Sequence, residues 1–122
     1  MFKEVNHRLM VAELAKSGED IVKTLSPSMA HNLHMAVGVS GEAGELLDAI
    51  KKYTVYNKPL DLENVIEELG DLEFYMEGLR QGLGITREET LKMNYNKLSV
   101  RYSSGSYSDK QAQERADKNG SN

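Results

Sequence analysis

The chain of 122 residues contains no cysteine, so it has neither a disulfide framework nor thiolate metal ligands. It has only two prolines, Pro27 and Pro59, so little interrupts a helical chain. No apolar run approaches the ~18 residues of a membrane span. The start, "MFKEVNHRLM", lacks a signal-peptide pattern. Basic residues are not in excess: net charge is −4, which leaves no general footprint for nucleic acid. There is no internal repeat. These absences point to a soluble, cytoplasmic protein of one domain that binds neither nucleic acid nor membrane. What is present is modest apolar content, 39%, with 28% charged residues. The core is therefore small, and subunit association would enlarge it.

Helix formers dominate to about residue 102, and four helices are predicted. The first runs from Phe2 to Lys16 with a thin stripe (Phe2, Val5, Leu9, Ala12) and stops near Ser17-Gly18. The second starts at Ser26-Pro27 and reaches Tyr56. The third follows Pro59 with Asp61 as N-cap and ends at Gly82 or Gly84. The fourth opens on the capping box Thr86–Glu89 and reaches Tyr102. Residues 1–102 thus form a helical domain. Residues 103–122 form a polar tail, with a short helix near Asp109–Asp117 and a disordered end. The fold expected is an all-α bundle of about four helices, associating as a dimer or a dimer of dimers.

The stretch "GEAGELLDAIKK" carries two costs beside its buried face. Glu42 and Glu45 are like charges one turn apart. Glycines at 38, 41 and 44 each weaken a helix by roughly 1 kcal/mol relative to alanine. At 100° per residue, with Met35 at zero, Val39, Leu46 and Ile50 lie at about 0–60°, Glu42 near about −20° and Glu45 near about −80°. The acids line one edge of the apolar stripe, with Gly38, Gly41, Ala49, His31, His34 and Lys52 on the same flank. In the third helix Leu62, Val65, Leu69, Leu72, Met76 and Leu79 form the stripe, and Asn64, Glu68, Asp71 and Tyr75 the matching polar edge. In the fourth, Leu91, Tyr95, Leu98 and Tyr102 are flanked by Thr90, Asn94, Lys97 and Arg101.

Packed as a bundle, these edges meet in a cleft with four carboxylates on one side and Lys, Arg and Asn on the other. Four close carboxylates need protons or cations. Hard divalent ions prefer oxygen ligands, so Mg²⁺ is favoured over zinc here. Mg²⁺ keeps waters and bridges to phosphate, and the cationic edge suits the remaining phosphate charge. The glycines then leave room for metal, water and phosphate.

Blander readings apply elsewhere. Glu67 lies further from the apolar edge than Glu68 and reads as exposed. His34 reads as a structural histidine before a ligand. Lys52 either meets phosphate or pairs with a carboxylate, Lys51 is surface, and Tyr75 packs in preference to stacking on a base. Glu4-x-x-His7 is a single pair, whereas di-iron bundles need two.

Glu42-x-x-Glu45 followed by Glu68-x-x-Asp71 resembles the ExxE…ExxD signature of the all-α nucleotide pyrophosphohydrolases. That superfamily includes MazG-like proteins, dimeric dUTPases, dCTP pyrophosphatases and phosphoribosyl-ATP pyrophosphatase. "HMAVGVSGEAGELLDAIKK", "ENVIEELGDLEFYMEGL" and "NYNKLSVRYSSGSYSDKQAQERADK" resemble MazG-like blocks in the same order, over roughly residues 30–117. The resemblance implies Mg²⁺-dependent hydrolysis of nucleoside triphosphates to a monophosphate and pyrophosphate by a single such domain. It implies that Glu42, Glu45, Glu68 and Asp71 are metal ligands and the catalytic acids. It implies that Asn94, Lys97 and Arg101 contact phosphate or substrate, to which the flank position of Lys52 adds a further candidate substrate contact. Two other classes are a non-catalytic nucleotide or alarmone binder using the same cleft, and a helical interaction module whose acids are a solvated face.

Overall fold

A computed structural model describes residues 6–118, and these form six helices and no strand. They are α1 (His7–Leu14), α2 (Gly18–Thr24), α3 (Pro27–Thr54), α4 (Leu62–Leu83), α5 (Arg87–Arg101) and α6 (Asp109–Glu114). Each begins on a side chain that accepts a backbone N–H of the first turn: Asn6, Ser17, Ser26, Asp61, Thr86 and Ser108. Thr86 and Glu89 complete the expected capping box. Gly84, at φ 70°, ends α4 in the left-handed conformation that glycine tolerates. Among the described residues no helix is long and apolar enough to cross a membrane.

Helices α3 to α6 lie where the sequence places them, and the N-terminal region differs. The expected first helix is present as α1, and an additional short helix, α2, follows it, because Ser17 caps a new helix rather than opening a loop: it accepts Asp20 N–H at 3.1 Å. Glu19 and Asp20 follow at the positive end of the helix dipole, and Lys23 pairs with both. The expected stripe residues Phe2 and Val5, together with Glu4 of the Glu-x-x-His pair and the end of the tail beyond 118, lie outside the described residues.

The helix pairs that pack are α3 with α4 and, over a smaller area, α5 with α6. Helices α3 and α4 run antiparallel, since the start of α3 meets the end of α4. His31 Nε2 lies 2.9 Å from the Gly78 carbonyl oxygen. Three glycines set how close these helices come, Gly38, Gly78 and Gly82, the last against Asn32 and His31. A Cβ on Gly38 would fall inside the Tyr75 ring, and one on Gly78 would strike the Met35 sulfur. Tyr75 therefore packs, as the sequence indicates, with His34 and Phe74 edge-on to its ring at 6.2 and 5.2 Å between centroids.

The core within one chain is very small. Among the described residues only Met35, Ala49 and Arg80 are buried, and Arg80 is neutralised by Glu77 at 3.1 Å. The accessible surface is 10132 Å², against about 6,600 Å² expected for a compact monomer of this mass. Leu14, Val22, Leu47, Phe74, Met93 and Tyr95 are each about two-thirds or more exposed. The stripes of α3 and α4 cover each other in part, while Leu91, Tyr95 and Leu98 of α5 lie open. One chain alone therefore presents a helical hairpin and separate flanking helices instead of a closed four-helix bundle. Too few apolar residues face one another within the chain to close it.

The glycine contacts yield a stability prediction. Gly38→Ala should cost about 1–3 kcal/mol by driving a methyl group into Tyr75. Gly70→Ala, where a Cβ meets nothing within 4 Å, should gain up to about 1 kcal/mol from helix propensity. Urea unfolding of both variants at one protein concentration checks the opposite signs.

Candidate metal and phosphate site

The antiparallel pairing that sets Gly38 against Tyr75 also sets the next turns of α3 against the middle of α4. Glu42 comes from α3, and Glu68 and Asp71 from α4. One carboxylate oxygen of each lies within 4.8 Å of the others. Glu42 and Glu68 are half-buried and Asp71 is exposed. The Oε2 atoms of Glu42 and Glu68 are buried without a hydrogen-bond partner. Such atoms are costly unless a proton or cation meets them. Glu68 shows the strain directly. The neighbouring Glu42 carboxyl, then burial, then Glu45 push its carboxyl from 4.5 up to about 7. Glu45 thus belongs to the same electrostatic group, although it stands outside the close trio. The donor set is all oxygen, with two orphaned buried atoms, and it fits a hard divalent ion.

Beside the trio lies a cavity of about 550 Å³ lined by Gly41, Gly44, Glu45, Asp48, Lys52, Asn64 and Glu68. A Cβ at Gly41 or Gly44 would meet nothing within 4 Å. The three glycines of the sequence motif therefore divide: Gly38 is filled by Tyr75, and the other two open onto the cavity. Lys52 supplies its lining cation and pairs with Asp48 at 3.1 Å. Of the two expectations for it, the carboxylate partner is present in Asp48. Asp48 is not among the residues the sequence pattern marks, although its i,i+4 spacing from Lys52 is a signal for the pair. Asn64 was visible on the polar edge one turn before Glu68 without being assigned a role.

The α5 residues sit elsewhere. No α5 residue lines the acid cavity. Asn94 and Lys97 line a separate cavity of about 540 Å³ with Ile85, Glu89, Thr90 and Met93. Arg101 donates from Nε and Nη2 to the two carboxylate oxygens of Asp117, at 2.7 and 3.2 Å. Sequence spacing gives no sign of that pair, because 16 residues and a loop separate its members. His34 is not among the clustered ligands, and Glu67 is exposed. Lys51 lies over the Tyr56 ring at 5.5 Å, an outer-surface contact.

Residues 31–105 match the family model of the MazG nucleotide pyrophosphohydrolase domain. That span is more than half of the chain and contains both acidic pairs, so the chain belongs to the MazG family. Comparison with curated proteins gave no match, and neither did comparison with solved structures.

The raised carboxyl of Glu68 fixes the sign of two pH effects. A group whose pKa is higher in the fold than in the unfolded chain stabilises the fold when protonated. The metal-free protein should lose stability as pH rises from about 5 through about 7, and level off above. A divalent ion replaces the proton, so Mg²⁺ affinity should rise over the same interval and binding near pH 6 should release protons. Calorimetry in two buffers of different ionisation enthalpy measures that release. Glu68→Gln should abolish the release and flatten the pH dependence of melting in EDTA.

Proposed function

With membership of the MazG family as the premise, we propose that this protein is a Mg²⁺-dependent nucleoside triphosphate pyrophosphohydrolase, converting an NTP or dNTP to the monophosphate and pyrophosphate. The observation that carries this reading is the convergence of Glu42, Glu68 and Asp71, the first two with orphaned oxygens, beside a cavity that Glu68 lines together with Gly41, Gly44 and Lys52. Glu42, Glu45, Glu68 and Asp71 would hold the metal. Bound Mg²⁺ would supply neutralisation of phosphate charge and acidification of a coordinated water. The residues do the rest. Lys52, held by Asp48, meets phosphate oxygens at the far wall of the cavity. Gly41 and Gly44 let the phosphate chain approach the α3 backbone. Asn64 offers a neutral amide at the rim.

The active species in this proposal is a homo-oligomer, a dimer or a dimer of dimers. Two observations support it. The chain exposes roughly 3,500 Å² more than a compact monomer would, comparable to what obligate interfaces remove from water. Lys52 is the lining cation of a cavity whose acids are far more numerous, while Asn94 and Lys97 wait on α5 in their own cavity. A second copy would cover the open apolar stripes and bring its α5 to the acids, so that each site draws on two chains.

Glu45→Gln and Asp71→Asn should each lower Mg²⁺-dependent pyrophosphate release by about 100-fold or more while the helical fold survives. Near wild-type turnover in both would exclude the metal assignment. Binding of a nucleotide with no pyrophosphate release across all common NTPs and dNTPs would leave a binder and not an enzyme. Mixing inactive Asp71→Asn protein with inactive Lys97→Ala protein should restore part of the activity if sites are shared. A fully active monomer by light scattering would exclude both the oligomer and the shared site.

A further inference from the structure

Helices α1 and α2 are only 8 and 7 residues long. Isolated helices shorter than about 12–15 residues are marginal in water, and in proteins they persist because an apolar face is packed. Each of these helices has such a face. On α1, Met10 and Leu14 are four residues apart and Val11 and Leu14 three; on α2, Ile21 and the capping Leu25 are four apart and Val22 and Leu25 three. Yet neither helix buries a residue, and among the described residues neither packs closely on another helix. Leu14 is 71% exposed and Val22 69%. The support that two such short helices need is therefore not supplied within one chain. The polar side of α2 is already satisfied: Lys23 pairs with Glu19 and Asp20, and these three lie opposite Ile21, Val22 and Leu25 on the helix. The apolar face can thus be covered without burying a charge.

The rest of the chain has the converse need. Leu91, Tyr95 and Leu98 form an open stripe along α5, and Phe74 stands about two-thirds exposed on α4. An arm without a surface and surfaces without a cover occur together in one chain, so a second copy satisfies both at once through a two-fold exchange. A foreign partner that fitted the arm would leave the α5 stripe open. The area agrees: the chain exposes roughly 3,500 Å² beyond a compact monomer, and a stable dimer needs about 800 Å² from each partner. We propose that α1 and α2 form an exchange arm: in the homo-oligomer, the apolar face of each chain's arm lies on the apolar surface that α4 and α5 of a second copy leave open. This rests on the homo-oligomer reading and adds the segment that carries the association.

The test combines sedimentation equilibrium with amide hydrogen exchange on the full chain. In the assembled wild type the amides of α1 and α2 should be protected, and dilution below the dissociation constant should release them while α3 and α4 stay protected. Leu14→Asp and Val22→Asp remove little contact within one chain, because both side chains are exposed there. Each should nevertheless raise the dissociation constant about 30-fold or more. Leu14→Ala, which favours the helix, should still raise it about fivefold, and so separates a lost contact from a lost helix. Free exchange of the arm in an assembled wild type, or arm variants that assemble as tightly as wild type, would overturn the arm and leave the oligomer standing. Arm protection that survives dilution to a monomer would mean that the arm folds onto its own chain, and would overturn the inference as well. Wild-type protein that stays monomeric at every concentration would overturn the arm and the homo-oligomer together, and leave the apolar face to a different protein.

Discussion

The site depends on a close antiparallel contact between α3 and α4 that holds mutually repelling carboxylates together. At one end, Gly38 accepts the Tyr75 ring, Gly78 accepts Met35, and His31 lies against the Gly78 carbonyl. A few turns along, the same approach leaves Glu42, Glu68 and Asp71 within 4.8 Å of one another. The packing at the glycine end is favourable and the carboxylate end is not. Glu68 responds by holding its proton to about pH 7, and two oxygens remain without partners. A site that is unfavourable when empty and protonated when metal-free is suited to binding a cation, since the ion removes a cost already present.

The clustered acids and the α5 lysine lie apart within one chain. Glu42, Glu68 and Asp71 belong to the α3–α4 pair, with Lys52 on the acid side, whereas Lys97 lines a separate cavity that it shares with Glu89. Segregation of this kind avoids self-neutralisation. If Lys97 lay among its own chain's acids, it would form a permanent salt bridge and leave little affinity for a phosphate–metal complex. Arg101 is already spent in that way on Asp117, in a pair that orders the chain after α5. The open apolar stripes follow from the same design. Because α5 packs little on the α3–α4 pair, the chain buries little core of its own, and among the described residues only Met35, Ala49 and Arg80 are buried. In the proposed assembly, closing the core and completing the site are one event.

Local rules account for most of what was legible. Helices α3, α4 and α5 were readable because their boundaries rest on short-range chemistry: Ser26-Pro27, Asp61, Gly84 and the Thr86–Glu89 box each act within one turn. The alignment of Glu42 and Glu45 with one stripe, and of Glu68 and Asp71 with another, follows from helical periodicity alone. Helix α2 was missed for a local reason as well, since Ser17 stops nothing and starts a helix. The sequence by itself therefore determined the helices, their caps and the edge on which each acid lies. Tertiary structure decided the rest. Gly38 is filled while Gly41 and Gly44 stay open, because only Gly38 faces Tyr75 across the helix pair. Glu42 joins the close trio and Glu45 stands beside it, because the register of α3 on α4 selects one turn over its neighbour. Arg101 meets Asp117 because a loop returns the chain across 16 residues. Periodicity reports which side of a helix a residue occupies, but it carries no information about what another helix places opposite.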